Sequence, residues 1–225
     1  MPCEHKHPVY VRQRGRLTTS QARAIEQYGA EYLIATDEHI LDLRQIFVNK
    51  TRPILEVGFG VGQALIDMAK RYPENNYLGI EVYLPGIGSL LNQCHTQNIT
   101  NVRVIRGDAR AILETNIGAG SLEQINIFFP DPWPKKRHFK RRLIQYGFPS
   151  LVAGKLVTGG KVYACTDWEP YAHWMLDSFA EESNLLNLSE KGTFIPRYEE
   201  RPLTRFETRG LRLGHKVWDL GFQRI

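Results

Sequence analysis

From Arg52 onward, short apolar runs alternate with amphipathic segments along the chain. The apolar runs predict buried β-strands at Ile54–Val57, Tyr77–Val82, Val102–Ile105, Gln124–Phe129 and Lys161–Cys165. The amphipathic segments predict helices over residues 61–72, 85–97, 109–114, 140–156 and 168–183, with a break at Pro149 and with Asp167 as the N-cap of the last helix. Because strands and helices alternate, the pattern predicts an α/β fold, in which a doubly wound, mostly parallel sheet carries helices on both faces.

The two ends of the chain depart from this alternation. Residues 1–50 predict an N-terminal basic arm followed by edge helices over residues 20–28 and 38–48; the arm contains Arg12, Arg14 and Arg16. Residues 197–212 are arginine-rich and predict a loop, whereas residues 215–225 return to the alternation of a strand. We therefore expect residues 51–225 to form a single domain whose sheet closes with an antiparallel C-terminal hairpin.

The composition fits one globular domain, since 42% of the 225 residues are hydrophobic and 24% are charged. No apolar run approaches the roughly 18 residues of a membrane helix, and residues 1–6 lack the apolar stretch of a signal peptide. We expect a cytoplasmic monomer or homodimer without a membrane partner. The cysteines Cys3, Cys94 and Cys165 have no metal-ligand spacing, and neither do the histidines, so we expect no metal.

A glycine-rich segment follows the first predicted strand and opens the first helix, where doubly wound folds bind nucleotides. It reads Glu56-Val57-Gly58-Phe59-Gly60-Val61-Gly62, a G-x-G-x-G spacing. Glycine lets the backbone approach a ligand closely and adopt positive φ. A dinucleotide fingerprint places its third glycine one residue later, where this chain has Gln63. The segment predicts a nucleotide-type cofactor, with an NAD-dependent oxidoreductase as an alternative that Gln63 disfavours.

Three carboxylates are predicted to lie at the carboxyl ends of successive strands. Glu81 ends the second strand, where an acid can accept hydrogen bonds from ribose hydroxyls. Asp108 follows the third strand, in position to meet an adenine amino group, and Glu56 ends the first strand, where it can attract an ammonium group. Because three acids suit ammonium and sulfonium charge better than a pyrophosphate, we interpret the ligand as S-adenosylmethionine.

The fourth strand runs into Phe128-Phe129-Pro130-Asp131-Pro132-Trp133-Pro134, and a cationic stretch follows directly. Prolines remove backbone donors and stiffen the chain, so we expect Asp131 to be held at the sheet edge beside the cofactor. Residues 135–142, which we call the cationic tract, contain six lysines and arginines among eight residues and no acid. A solvated helix face is the alternative interpretation, but the place of the tract after the fourth strand favours contacts with nucleic-acid phosphates.

These segments together resemble the bacterial tRNA (guanine-N7-)-methyltransferase family. The resemblance rests on the glycine segment, Gly79-Ile80-Glu81-Val82, Phe128-Phe129-Pro130-Asp131-Pro132-Trp133, Thr166-Asp167-Trp168-Glu169-Pro170 and Arg209–Leu220. The segments that contain Asp131 (residues 128–133) and Asp167 (residues 166–170) are specific to this family. The glycine loop fits any class I methyltransferase, so the resemblance implies the Rossmann-like fold of that class.

The resemblance implies transfer of a methyl group from S-adenosylmethionine to N7 of a guanine in the tRNA variable loop, at position 46 in standard tRNA numbering. It implies that Asp131 is catalytic. Besides the contacts predicted for Gly58, Gly60 and Gly62, it implies cofactor contacts by Glu56, Glu81, Asp108 and Asp131. It implies tRNA contacts by Lys135, Arg137, Lys140, Arg141, Arg142, Asp167, Thr204, Arg205, Phe206 and Glu207.

Chemistry limits the role expected of Asp131. Guanine N7 carries an in-plane lone pair that is unprotonated at neutral pH, so the reaction needs no general base. We therefore expect Asp131 to orient the base and to discriminate against adenine, with Asp167 and Glu207 as rival candidates for holding the base edge. A noncatalytic tRNA-binding protein is the alternative, and the intact set of acids disfavours it.

Overall fold

The computed structural model describes residues 15–37 and 39–225, with the backbone alone at Arg205 and Phe206. The predicted arm at Arg12 and Arg14 lies outside these residues, and so do the side chains of Arg205 and Phe206. Along the described chain, no helix is both long and apolar enough to cross a bilayer.

The strands of the described chain form one eight-stranded sheet. In chain order they are β1 (Leu33–Ile34), β2 (Ile54–Val57), β3 (Tyr77–Glu81), β4 (Val102–Arg106), β5 (Leu122–Phe128), β6 (Leu156–Thr166), β7 (Leu185–Asn187) and β8 (Trp218–Arg224). Their order in the sheet is β1-β4-β3-β2-β5-β6-β8-β7. The first six run parallel, and β8 pairs antiparallel with β6 and with β7. The predicted mostly parallel sheet with antiparallel C-terminal strands is confirmed.

Helices cover both faces of this sheet. They are α1 (Thr19–Tyr32), α2 (Leu43–Ile46), α3 (Gln63–Arg71), α4 (Leu84–Thr96), α5 (Ala109–Thr115), α6 (Phe148–Lys155), α7 (Glu169–Ala180) and α8 (Arg205–Arg212), with a 3₁₀ helix at Lys136–Arg141. Successive residues of a strand point to opposite faces, so Ile54 packs with α1, α3 and α4, whereas Leu55 packs with α5, α6 and α7. The strands are buried on both faces, which explains their nearly continuous apolar character.

The N-terminal segment joins the same sheet. β1 pairs with β4 at the edge, and α1 lies against α4, where Gln21 Nε2 donates to Ser89 Oγ at 3.0 Å. The predicted helix over residues 38–48 is wrong in extent, because within the described residues 39–48 the helix is confined to α2. A domain boundary at residue 50 stays a prediction.

The segment between β5 and β6 also differs from prediction. In place of a helical segment over residues 140–156 with a break at Pro149, the chain forms the 3₁₀ helix and then α6, and the break lies before Pro149. Gly147, at φ 78°, lies between them in a left-handed conformation, and Pro149 in the first turn of α6 favours a helix start. The predicted N-cap of α7 is also wrong, since Trp168 and not Asp167 occupies the cap position.

The C-terminal pairing is antiparallel, but it is not a tight hairpin. β7 and β8 pair directly, yet a long connection joins them, and α8 forms within the segment predicted as a loop. The strand β7 was not predicted at all. Because β8 is antiparallel to both β6 and β7, β7 ends and β8 begins at the carboxyl edge of the sheet, and the connection between them lies at that edge, where the site residues lie.

Candidate active site

The parallel strands end at one edge of the sheet, and the predicted site residues follow those ends. β2 has β3 on one side and β5 on the other, so the direction of winding reverses between β2 and β5. Doubly wound folds bind ligands at such a reversal. The glycine loop, residues 58–62, and the loop after β5, residues 129–134, which we call the proline loop, border this point.

All three glycines of the glycine loop require conformations that other residues rarely adopt. Their φ angles are 71° at Gly58, 59° at Gly60 and 80° at Gly62. The start of α4 packs so closely on this loop that a β-carbon at Gly86 would clash with the carbonyl oxygen of Gly60. An added β-carbon at Gly58 or Gly60 would meet nothing within 4 Å, so open space lies beside the backbone of the loop, which is compatible with the predicted cofactor contact.

Glu81 holds the glycine loop in place. Its Oε2 accepts a hydrogen bond from Gly60 N at 2.8 Å, and its Oε1 accepts from Val82 N at 2.6 Å and Tyr83 N at 2.9 Å. The carboxylate is largely buried at the end of β3. Oε1 already accepts two hydrogen bonds, whereas Oε2 accepts one and retains a lone pair that can accept from a ribose hydroxyl. The contacts of Glu81 are therefore compatible with the predicted cofactor role.

Glu56 is the most unusual acid of the site. Its side chain is 3% exposed at the end of β2, and its Oε2 has no hydrogen-bond partner. Burial, together with the nearby charge of Glu81, raises the pKa of Glu56 to about 8. A buried carboxyl with an unsatisfied oxygen is costly unless a ligand completes it. A cationic group at this position would satisfy it.

Asp108 has a structural role that the sequence did not predict. It is the N-cap of α5, where its Oδ1 accepts from Arg110 N at 3.0 Å and Ala111 N at 3.1 Å. Such caps stabilise a helix by about 1 kcal/mol. The predicted contact with an adenine amino group would therefore use Oδ2.

The proline loop is strained at both ends. Phe129 and Trp133 have φ angles of 52° and 40°, which residues other than glycine rarely adopt. Phe129 N donates to Cys165 O at 2.9 Å, which attaches the loop to β6. Asp131, between the strained positions, is exposed at the carboxyl edge. Strain of this kind persists only where the surrounding structure holds it, and it concentrates at functional sites.

The cationic tract divides into exposed and buried members. Lys135, Arg137 and Lys140 are exposed, and Arg141 lies half-buried with its guanidinium carbon 5.0 Å from the centre of the Trp133 ring. Arg142 is only 2% exposed, because aromatic residues of α7 and the 3₁₀ helix surround it. The contact of Arg142 with a phosphate stays a prediction, which this burial does not support.

The remaining predicted substrate residues follow β6 or start α8. Asp167 is half-buried in the turn after β6. Thr204 is the N-cap of α8, and its Oγ1 accepts from Glu207 N at 3.1 Å. Glu207 is 3% exposed and forms ion pairs with Arg201 and Arg197. Its carboxylate is therefore engaged inside the protein, and a contact of Glu207 with the base edge stays a prediction.

Sequence reasoning missed Arg201. Its side chain is buried between Glu207 and Asp219 of β8, with its guanidinium carbon 5.5 Å from the Phe129 ring centre. One arginine in an arginine-rich segment carries no local signal of burial, so no sequence pattern could have singled it out. Along the described chain, no group of three or more potential metal ligands comes together.

Comparison with known proteins gives the family. Residues 50–220 match a family described as a putative methyltransferase. The chain is 46% identical over 219 residues to the tRNA (guanine-N(7)-)-methyltransferase of Yersinia pseudotuberculosis serotype I, an alignment that covers 96% of this chain and 90% of the relative. The protein of the same name from Pseudomonas putida strain F1 is 44% identical over 216 residues, again with 96% and 90% covered.

Solved structures with the same fold are methyltransferases. The 16S rRNA methyltransferase KamB superposes with a TM-score of 0.58 at 13% identity, covering 86% of this chain and 98% of that one. The antibiotic-resistance methyltransferase Kmr gives 0.54 at 13% identity, covering 94% and 96%. These structures confirm the predicted class I methyltransferase fold. The sequence relatives are methyltransferases, which decides against the alternative of an NAD-dependent oxidoreductase. The chain belongs to the tRNA (guanine-N7-)-methyltransferase family.

Proposed function

We propose that this chain transfers the methyl group of S-adenosylmethionine to N7 of a variable-loop guanine, position 46, in tRNA. The observation that carries the proposal is the buried Glu56 carboxyl, whose Oε2 lacks a partner beside the glycine loop. The names of the sequence relatives support the same substrate and the same atom. The proline loop and the cationic tract follow the neighbouring strand β5, on the same edge of the sheet.

The residues of the crevice fit this cofactor. The unpartnered Oε2 of Glu56 would bind the ammonium of the methionine part, and the bare backbone of Gly58 and Gly60 leaves room for it. Glu81 would accept from a ribose hydroxyl through Oε2, and Asp108 would accept from the adenine amino group through Oδ2. When bound, S-adenosylmethionine supplies a methyl group that its sulfonium has already activated.

The protein's contribution to the chemistry is orientation and charge. The guanine N7 lone pair needs no deprotonation, and alignment of two reactants can supply roughly 7–11 kcal/mol of barrier reduction. Positive charge passes to the purine during transfer, and the fixed Asp131 carboxylate would stabilise that charge. The same carboxylate would accept from guanine N1–H and the N2 amino group, which adenine cannot match.

Exposed cations of the tract would hold the tRNA over this crevice. Lys135, Arg137 and Lys140 face solvent directly after the proline loop, so they would contact phosphates that flank the target nucleotide. Arg141 is proposed to act with them from its position over Trp133. Asp167, at the end of β6, is the rival to Asp131 for holding the base edge.

Methylation of a defined tRNA tests the proposal. The protein is incubated with methyl-labelled S-adenosylmethionine and unmodified tRNA, and reductive chain cleavage then locates N7-methylguanosine. We expect label at guanine 46 and none in a matched tRNA with adenine at that position. Label at another nucleotide, or no label on tRNA, would refute the proposed function.

A further inference from the structure

Arg142 is the last member of the cationic tract, but its environment is unlike that of the others. It is one of the largest fully buried side chains of the described chain, with 2% exposed. Its guanidinium carbon lies 3.8 Å from the ring centre of Phe139, 4.8 Å from that of Tyr171 and 5.0 Å from that of Trp174. Its Nε donates a hydrogen bond to Pro132 O at 2.9 Å.

A buried arginine normally pairs with a carboxylate, and Arg142 makes no ion pair with any acid that the structure describes. The cost of removing its charge from water is offset only by the three aromatic faces and the Pro132 carbonyl. Such an arrangement adds little net stability. Its geometric effect is to fix one backbone atom of the proline loop.

The proline loop needs an external attachment of this kind. Pro130, Pro132 and Pro134 have no backbone N–H, so the loop cannot close a backbone hydrogen-bond pattern of its own. Pro132 directly follows Asp131 and directly precedes the strained Trp133. The Arg142 hydrogen bond therefore restrains the chain one residue from the Asp131 carboxylate.

The pocket around Arg142 is itself firmly held. Ile144 N donates to Tyr171 Oη at 3.3 Å, and Trp174 Nε1 donates to Ile144 O at 2.8 Å. These bonds attach α7 to the segment that follows Arg142. The guanidinium thus connects the proline loop to a rigid element of the fold.

We propose that Arg142 is a positioning residue, which holds the proline loop so that the Asp131 carboxylate lies at the methyl-transfer site. This inference rests on the proposed function. According to this inference, Arg142 does not contact a tRNA phosphate but acts in the methyl-transfer step. The expected signature is a loss of kcat, with tRNA and cofactor binding preserved.

Arg142→Met tests the assignment, because methionine fills the aromatic pocket without a donor for Pro132 O. We expect the free energy of unfolding to be retained or increased, as often follows when a buried charge is replaced by an apolar side chain. We expect kcat at saturating tRNA to fall about 100-fold, the effect of a displacement of about 1 Å at a reacting group. The dissociation constant of the cofactor and the salt dependence of tRNA binding should not change.

Two other variants serve as controls for Arg142→Met. Arg71→Met removes an exposed arginine at the end of α3, far from the carboxyl edge, and should leave kcat unchanged. Lys140→Met removes an exposed cation of the tract, so it should raise KM for tRNA and weaken the salt dependence. Arg142→Met behaving like Lys140→Met would mean that Arg142 contacts RNA, and would overturn the inference.

Arg142→Lys keeps the test decisive if the methionine variant does not fold. Lysine can still donate to Pro132 O but loses the planar stacking, so kcat should fall less than in Arg142→Met. Wild-type kcat in a folded Arg142→Met would overturn the inference. A weaker affinity for tRNA at unchanged kcat in Arg142→Lys would overturn it as well, because it would show a phosphate contact. The wild-type protein is assayed on the same tRNA. If the proposed function is wrong, the wild type does not methylate this tRNA. If only the inference about Arg142 is wrong, the wild type still does.

Discussion

The guanidinium of Arg201 donates to the carboxylate of Glu207, and each of these side chains is 1% exposed. Arg201 also donates from Nη2 to Oδ2 of Asp219 at 3.0 Å, so one buried cation joins α8 to β8. The same guanidinium lies over Phe129 at the start of the proline loop. Glu207 is thus part of the framework that holds α8 over the carboxyl edge.

Glu207→Gln should destabilise the fold by about 3–5 kcal/mol, because it leaves Arg201 buried with reduced compensation. Urea unfolding measures the change. Glu199→Gln alters an exposed acid of the same connection and should change stability by no more than about 0.5 kcal/mol. Unchanged stability in Glu207→Gln, with a specific loss of guanine recognition, would return Glu207 to the base-binding role.

Cofactor binding should release a proton from Glu56. With its pKa at about 8, the carboxyl is mostly protonated at neutral pH, and an ammonium ligand favours the ionised form. Affinity should therefore increase as pH rises from about 6 to about 7, a range in which an α-amino group stays mostly protonated. Titration calorimetry in two buffers of different ionisation enthalpy should detect close to one proton per cofactor.

Glu56→Gln is the control for that measurement. The amide cannot ionise, so proton release and the pH dependence of affinity should disappear, and the affinity itself should fall. Proton release equal to that of the wild type would assign it to another group and contradict the role of Glu56.

The same pKa predicts a pH effect on the stability of the ligand-free protein. Glu56 is raised from 4.5 to about 8 on folding, so its contribution to stability is fully present below about 4.5 and is lost as pH rises through about 8. Glu56→Gln should therefore gain stability relative to wild type across this range, as measured by denaturant midpoints. Glu123→Gln, at an exposed acid of β5, should show no such trend.

Asp131→Asn should lower kcat by about 100- to 1,000-fold, the usual cost of removing an electrostatic contact at the transition state. Because N7 needs no base, the shape of the pH–rate profile should be the same in variant and wild type. Asp177→Asn on α7 provides an exposed control. A bell-shaped wild-type profile whose acid limb vanishes in Asp131→Asn would make Asp131 a general base.

The affinity for tRNA should depend on salt through the four cations of the tract that are proposed to contact phosphates. Four phosphate contacts, by Lys135, Arg137, Lys140 and Arg141, predict a slope of log K against log salt of about −3 to −4. Lys140→Ala should make that slope less steep by about 1. Lys70→Ala, at an exposed lysine of α3, should not change it. A flat dependence in the wild type would identify the tract as a solvated face.

Much of the architecture could be predicted because it depends on local patterns. Strands such as β2 and β3 are buried on both faces, so their apolar runs identify them without knowledge of their neighbours. Gly58, Gly60 and Gly62 all have the positive φ that their spacing indicated. β7 was missed because it is three residues long and is stabilised by pairing with β8.

The local sequence pattern was enough to predict the parallel strands β2 to β6, the glycine loop and the acids that follow these strands, because hydrophobic period and chain direction bring these residues to one edge. Which charged groups face that edge depends on tertiary packing. Arg141 and Arg142 are adjacent and identical in type, yet α7 supplies Tyr171 and Trp174 to enclose one of them. Glu207 is likewise removed from the crevice by Arg201. Burial of a charge depends on elements distant along the chain, and no local pattern records it.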